Sequence, residues 1–270
     1  MPELPEVETT VRGLRPVLEG QRLERVQMRR GDLRRPFPPD LGQRLTGATV
    51  TGLGRRAKYG LIHTDRADTL VFHLGMSGRW RIDPEALGAH DHFLLETDSG
   101  HRVVLNDARR FGSLDVWRTS ELPSYPPFAA MGPEPLDGDL TAAYLRTALA
   151  GRRAPIKAML LDQRIVAGLG NIYVCEALHM AGIAPGRAAG SLGIARLDRL
   201  VAAVGTVLRA AIEAGGSSLR DYVRPSGDLG YFSKQWRAYG REGEPCHCGA
   251  AIRRRSDGGR STFYCSRCQR

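Results

Sequence analysis

The chain has 270 residues, 42% of them apolar and 25% charged, enough to bury proper cores and too mixed for a disordered polymer. No apolar run approaches the ~18 residues that a membrane span needs. The start, Met1-Pro2-Glu3-Leu4-Pro5-Glu6, has neither the basic region nor the apolar stretch of a secretory signal, so a cytoplasmic chain is expected. Lys and Arg total 39 against 29 Asp and Glu, a net charge of +10, and such a surplus points to a polyanionic partner, most simply nucleic acid. Lys occurs only at Lys58, Lys157 and Lys234. In a chain so biased toward Arg, a surviving compact ammonium suggests a task that a planar guanidinium does not fit.

In chain order, a helix is expected over residues 6–18, with Pro5 at its start, Glu6 and Glu8 at the positive end of its dipole, and Val7, Val11 and Leu14 on one face. Short β-rich runs follow at 23–28, 49–53, 59–63, 69–73, 92–96, 103–106 and 114–117, separated by turns as in a sandwich or barrel. Ser124-Tyr125-Pro126-Pro127 and Gly132-Pro133-Glu134-Pro135 are expected to break regular structure and mark a linker. Helices are then expected at 140–149, 156–163, 172–180 and 197–214, with a tight Gly168-Leu169-Gly170-Asn171 turn before the third.

Four of the five cysteines lie in the last 25 residues: Cys246 and Cys248, a sixteen-residue spacer, then Cys265 and Cys268. Two thiolate pairs across a hairpin-sized spacer suit one tetrahedral structural zinc ion. The first pair is C-x-C where C-x2-C is usual, which leaves either a strained site or one in which His247 takes part. Arg253, Arg254, Arg255 and Arg260 lie between the pairs, and residues 241–270 hold seven Arg against three acids, so 7 − 3 = +4. Arginines on a rigid hairpin favour phosphate binding over a merely solvated face. The glycine turn ahead of Asn171 adds free amides at a helix N-terminus, with Lys157 one helix upstream.

Pro2 would be exposed as a secondary amine by removal of Met1. Its pKa would lie near the roughly 7.7–8.0 of an α-amino group, so part of it is nucleophilic at neutral pH. Attack on a sugar's anomeric carbon gives an iminium with no N–H to lose, a lasting electron sink, and Glu3 offers a carboxyl group for proton transfer. Read alone, Pro-Glu-Leu-Pro is more simply an ordinary lead into a helix, and Glu3 an ordinary acid near its dipole.

A resemblance shifts that balance. Pro2 through Glu8, Arg55 through Tyr59, His73 through Gly78, Asp107 through Gly112, Gly168 through Tyr173, Arg220-Asp221-Tyr222 and Gly259 through Cys265 together resemble formamidopyrimidine-DNA glycosylase. The related endonuclease VIII group usually begins Pro-Glu-Gly-Pro, so Leu4 favours the branch that repairs purines.

The resemblance implies an α+β chain. An N-terminal helix and two-layer β-sandwich (1–130) would carry catalysis, a helix-two-turn-helix domain (131–236) would bind DNA, and a zinc-finger β-hairpin (237–270) would follow. It implies a monomeric, bifunctional DNA glycosylase and apurinic/apyrimidinic lyase of base excision repair, acting on double-stranded DNA with oxidised purines or abasic sites in a basic cleft between the domains. Pro2 would be the nucleophile, Glu3 the acid/base and Lys58 the third catalytic residue, near the lesion-side phosphate. Met76, Arg109 and Phe111 would fill the gap left by an extruded base. His73, Lys157, Asn171 and Arg260 would complete the DNA contacts, Cys246, Cys248, Cys265 and Cys268 would hold zinc, and the 223–231 loop would close over the flipped base. An enzyme for oxidised pyrimidines and a binding-only protein without catalysis are the alternatives.

Overall fold

A computed structural model describes residues 1–217, 225, 227 and 230–270. They fall into two compact units, Met1–Ala129 with Ala214–Ser233, and Ala130–Glu213 with Lys234–Arg270. None of the described helices is long and apolar enough to cross a membrane.

The first unit opens with α1, Leu4–Leu18. It starts two residues before the sequence pattern suggests, because Glu3 caps it and Pro5, lacking an N–H, fits the first turn at no cost. The strands are β1 (Leu23–Met28), β2 (Val50–Arg56), β3 (Tyr59–Thr64), β4 (Asp68–His73), β5 (Arg79–Ile82), β6 (Asp91–Thr97), β7 (Arg102–Asn106) and β8 (Ser113–Arg118), with the short helix α2 (Leu41–Leu45) between β1 and β2. They form two antiparallel four-stranded sheets, in the orders β1-β6-β7-β5 and β2-β3-β4-β8. Phe72 of one sheet meets Trp80 of the other edge to face at 5.4 Å, and Trp80 meets Phe93 at 6.1 Å. Val7, Val11, Leu14 and Leu18 of α1 join the same core. Burying side chains of this size contributes about 1.5–3 kcal/mol each.

Helix α2 and strand β5 escape the sequence pattern, and β2 is longer than that pattern suggests. Strand β5 is only four residues long and alternates Arg with Trp80 and Ile82, so its apolar face amounts to two residues. Strand β2 runs past Leu53 to Arg56, because Gly52 and Gly54 interrupt the apolar pattern without ending the pairing with β3. Pro126–Ala129, expected as a break, is instead one helical turn, α3, whose Phe128 packs on Tyr125 at 4.9 Å.

The second unit contains α4 (Ala142–Ala148), α5 (Ile156–Leu161), α6 (Asn171–Ala181) and α7 (Ile194–Glu213), then a hairpin of β9 (Arg253–Asp257) and β10 (Arg260–Tyr264). Helix α6 is buried on nearly every side, whereas α7 buries a stripe that includes Leu197, Leu200, Val204 and Leu208. Gly182, at φ 69°, ends α6 in the left-handed conformation that glycine adopts without strain. The carboxylate of Glu176 in α6 accepts the amides of Arg237, Ala238 and Tyr239 at 2.7–2.9 Å, which fixes the strap leading into the hairpin.

Candidate active site and metal centre

Pro2 is buried and Glu3 is 4% exposed. Glu3 forms a capping box with Glu6, whose Oε2 accepts the Glu3 amide at 2.8 Å while the Glu3 carboxyl group meets the Glu6 amide. The other oxygen of Glu6 accepts the Ser217 amide at 2.8 Å, so this buried carboxylate ties the start of the chain to the segment after α7. The sequence marked Glu6 only as a dipole partner. Its position three residues after the capping Glu3 was the available signal for more.

Lys58 lies in the two-residue turn between β2 and β3 and is 7% exposed. Ala57 before it has φ 52°, a strained value for an L-residue, so the tight turn holds Lys58 in one place. Strand β3 begins at Tyr59, whose ring lies 4.7 Å from that of His73 at the end of β4. Burial, then the charges of Lys58, Arg34 and Arg35, lower the pKa of His73 to about 4. Its Nδ1 accepts the Gly75 amide at 3.0 Å, so the neutral ring carries its proton on Nε2.

Met76, Arg109 and Phe111 stand on two loops, 74–78 and 107–112, that are locked together. The Ser77 hydroxyl donates to Asp107 Oδ1 at 2.6 Å and accepts the Arg109 amide at 3.1 Å, while Asp107 Oδ2 accepts the Gly112 amide at 2.8 Å. Gly75 has φ 61°, and a Cβ there would overlap the backbone of Phe111 and Gly112, so only glycine allows the loops this close. Arg109 and Phe111 are exposed, with the guanidinium 5.1 Å from the ring centroid. The wholly buried Asp107 was quoted in the sequence without a role, and no periodicity marks a carboxylate that only a folded loop surrounds.

In the second unit, three expected DNA-contacting residues meet at the start of β10. Lys157 Nζ donates to the Ser261 carbonyl at 3.1 Å and to Thr262 Oγ1 at 2.6 Å, and Asn171 Nδ2 donates to the same Ser261 carbonyl at 2.9 Å. Arg260, adjacent to Ser261, is exposed. Lys157 is 2% exposed, and burial lowers its pKa. Its charge therefore sits beneath the strand, while Arg260 presents its charge to solvent. In the glycine turn, Gly168 has φ 82°, and its amide donates to Gln163 Oε1 at 2.9 Å. Arg220, Asp221, Tyr222 and most of the expected 223–231 lid lie outside the described residues.

The four cysteine sulfurs lie within 4.8 Å of one another, with Cys246 and Cys268 at 3.8 Å and Cys248 and Cys265 at 3.5 Å. Tetrahedral zinc with bonds of about 2.3 Å separates its sulfurs by about 3.8 Å, so the set fits one zinc ion despite the short C-x-C pair. Cys248 and Cys268 are partly exposed, whereas Cys246 and Cys265 are buried in a small core with Ala238, Ile252 and Phe263. Two four-stranded sheets with a capped N-terminal helix in one unit, and helices with a four-thiolate hairpin in the other, are the parts that the sequence leads one to expect.

The comparisons agree across the whole chain. Residues 1–114 match the formamidopyrimidine-DNA glycosylase N-terminal domain, 131–223 its H2TH domain, and 243–270 the zinc finger found in FPG and IleRS. The formamidopyrimidine-DNA glycosylases of Rhizorhabdus wittichii and Novosphingobium aromaticivorans are 73% and 64% identical over 270 residues, covering all of both chains. Among solved structures, MutM (Fpg) from Thermus thermophilus is 39% identical with a TM-score of 0.89, covering 99% of this chain and 98% of that one. The Lactococcus lactis Fpg bound to an N7-benzyl-Fapy-dG-containing DNA is 33% identical with a TM-score of 0.91 over the full length of both. The chain belongs to the formamidopyrimidine-DNA glycosylase family.

Proposed function

We propose that this chain is a bifunctional DNA glycosylase and lyase that removes oxidised purines, such as 8-oxoguanine and formamidopyrimidines, from double-stranded DNA at the nucleoid. The Pro2 nitrogen, freed of Met1, attacks C1′ of the damaged nucleotide as the bond to the base breaks. The electron pair of that bond leaves with the base, which takes up a proton. The Pro2 nitrogen gives up its proton, and the C1′–O4′ bond breaks with O4′ taking up a proton. The iminium that results draws electrons from C2′, so that loss of a C2′ proton breaks the C3′–O bond and expels the 3′ phosphate. A second elimination expels the 5′ phosphate. Glu3 serves these proton transfers.

The observation that carries this reading is the placement of Pro2 and Glu3. A buried carboxyl group caps the first turn of a helix, one residue after the nitrogen that must react. Lys58, fixed by its strained turn, supplies a positive charge for a phosphate. Met76 and Phe111 offer apolar wedges and Arg109 a donor to the orphaned cytosine, while Asn171 and Arg260 grip the backbone. Cys246, Cys248, Cys265 and Cys268 would hold a structural zinc ion, which would order the hairpin that carries Arg260.

Excision assays on paired duplexes test the substrate class. Duplexes with 8-oxoguanine opposite cytosine are expected to be cut to products with phosphate on both sides of the gap. Efficient cutting only at oxidised pyrimidines would assign the rival specificity instead. Intact 8-oxoguanine duplex alongside tight binding to it would support the binding-only alternative.

A further inference from the structure

A second cluster of metal-ligating side chains shares Cys246 with the four thiolates and adds two imidazoles that the zinc site does not use, His179 and His247. His179 projects from the last turn of α6 and is 3% exposed. Its Nε2 lies 3.3 Å from Cys246 Sγ. His247, between the two cysteines of the short pair, has Nδ1 3.4 Å from the same sulfur and Nε2 3.8 Å from Cys268 Sγ, but is exposed. The two rings meet edge to face at 5.6 Å.

Four sulfurs already complete a tetrahedron, so an imidazole on Cys246 is surplus to coordination. A metal-bound sulfur has no proton to give, so the nitrogen facing it must be the donor. The other ring nitrogen of His179, Nδ1, is buried with no hydrogen-bond partner among the described residues. A buried lone pair without a partner is tolerated better than a buried N–H without one, which places the single proton of the neutral ring on Nε2, facing the sulfur. Both arguments give the same tautomer.

Such a bond answers a need of this site. Four thiolates around a dication carry a net charge of −2, and Cys246 and Cys265 are buried. Donors to the sulfurs spread that charge. Within its own loop, Cys246 takes the amide of Cys248, one residue beyond the single intervening His247. Other amides of the site serve other sulfurs, Ala250 that of Cys248 and Cys268 that of Cys265, the latter at 3.4 Å. We propose that His179 is an outer-shell ligand of the metal centre, whose Nε2–H donates to the Cys246 thiolate and holds the metal to helix α6. That helix also begins with Asn171, so the bond links the metal centre to the residue that fixes the start of β10.

The test uses the full-length protein loaded with cobalt(II) or with cadmium-113, alongside His179→Leu, which keeps apolar volume without a donor, and His179→Gln, which keeps an N–H. In chelator competition, His179→Leu should bind metal roughly 10–100-fold more weakly, with His179→Gln recovering most of the loss. The sulfur-to-cobalt charge-transfer band should move to lower energy in His179→Leu at unchanged four-sulfur intensity. In the unsubstituted protein, the imidazole Nε2 proton should correlate with cadmium-113 through the sulfur, a readout that does not depend on either variant folding. The proposal is overturned by affinity and band position that match the parent in His179→Leu. A directly metal-bound imidazole nitrogen, or a second equivalent of metal lost with His179, would also overturn it by making His179 a ligand.

Discussion

The hydroxyl of Ser77 donates to the fully buried carboxylate of Asp107 at 2.6 Å, and through that bond the loop bearing Met76 is fixed to the loop bearing Arg109 and Phe111. Ser77→Ala leaves one oxygen of a buried carboxylate with a lost donor, at an expected cost of about 1–3 kcal/mol. Denaturant unfolding should show that loss. If these loops fill the gap of an extruded base, KM on lesion duplex should rise more than on a duplex that already contains an abasic site. Equal effects on both duplexes would show that the lock serves stability alone.

Glu3→Gln separates fold from chemistry at a single position. The amide keeps an oxygen to face the Glu6 N–H, so stability should fall by less than about 1 kcal/mol. Excision should fall by roughly 10²–10⁴-fold, because an amide cannot carry protons in either direction. Thermal melting and single-turnover excision, run side by side, check the pair of outcomes.

His73 gives the fold a specific acid sensitivity. Its pKa falls from 6.5 to about 4 through burial and the nearby cations, and its Nδ1 is committed as an acceptor. Between those values the unfolded chain takes up a proton that the native state refuses. Its contribution to stability is therefore intact above pH 6.5 and lost as pH falls toward 4. His73→Asn, which can retain an acceptor near Nδ1, should flatten the fall in denaturant midpoint over that window. An unchanged slope would assign the acid sensitivity to other groups.

Lys157 and Arg260 lie close together in the fold but should behave differently in salt. Arg260 is exposed, and its loss to Ala should remove about one phosphate contact, lowering the slope of log K against log salt by about 0.9. Lys157 spends its charge on Ser261 and Thr262. Lys157→Met should weaken binding through the pose of β10 with little change in that slope. A slope change as large as that of Arg260 would put the ammonium on a phosphate.

Most of the fold was legible because its elements follow period and punctuation. Alternating strands, a capped helix with Val7, Val11 and Leu14 on one face, and paired cysteines all declare themselves locally. Strand β5 did not, since two arginines and Trp80 read as polar surface until a second sheet covers the ring. The four-cysteine set was legible from its spacing, whereas Pro2, by itself an ordinary lead into a helix, stood out only through the resemblance. Asp107, Glu176, His179 and the bridging role of Glu6 were not legible. Each is an ordinary polar residue whose function depends on partners 30 to 211 positions away, brought within reach only by folding.

The most direct measurement is borohydride reduction of the Met1-processed enzyme with 8-oxoguanine duplex, followed by peptide mapping of the covalent adduct by mass spectrometry. The adduct should form in stoichiometric yield and map to the nitrogen of Pro2. Attachment at Lys58, Lys157 or Lys234, with Pro2 unmodified, would contradict the mechanism.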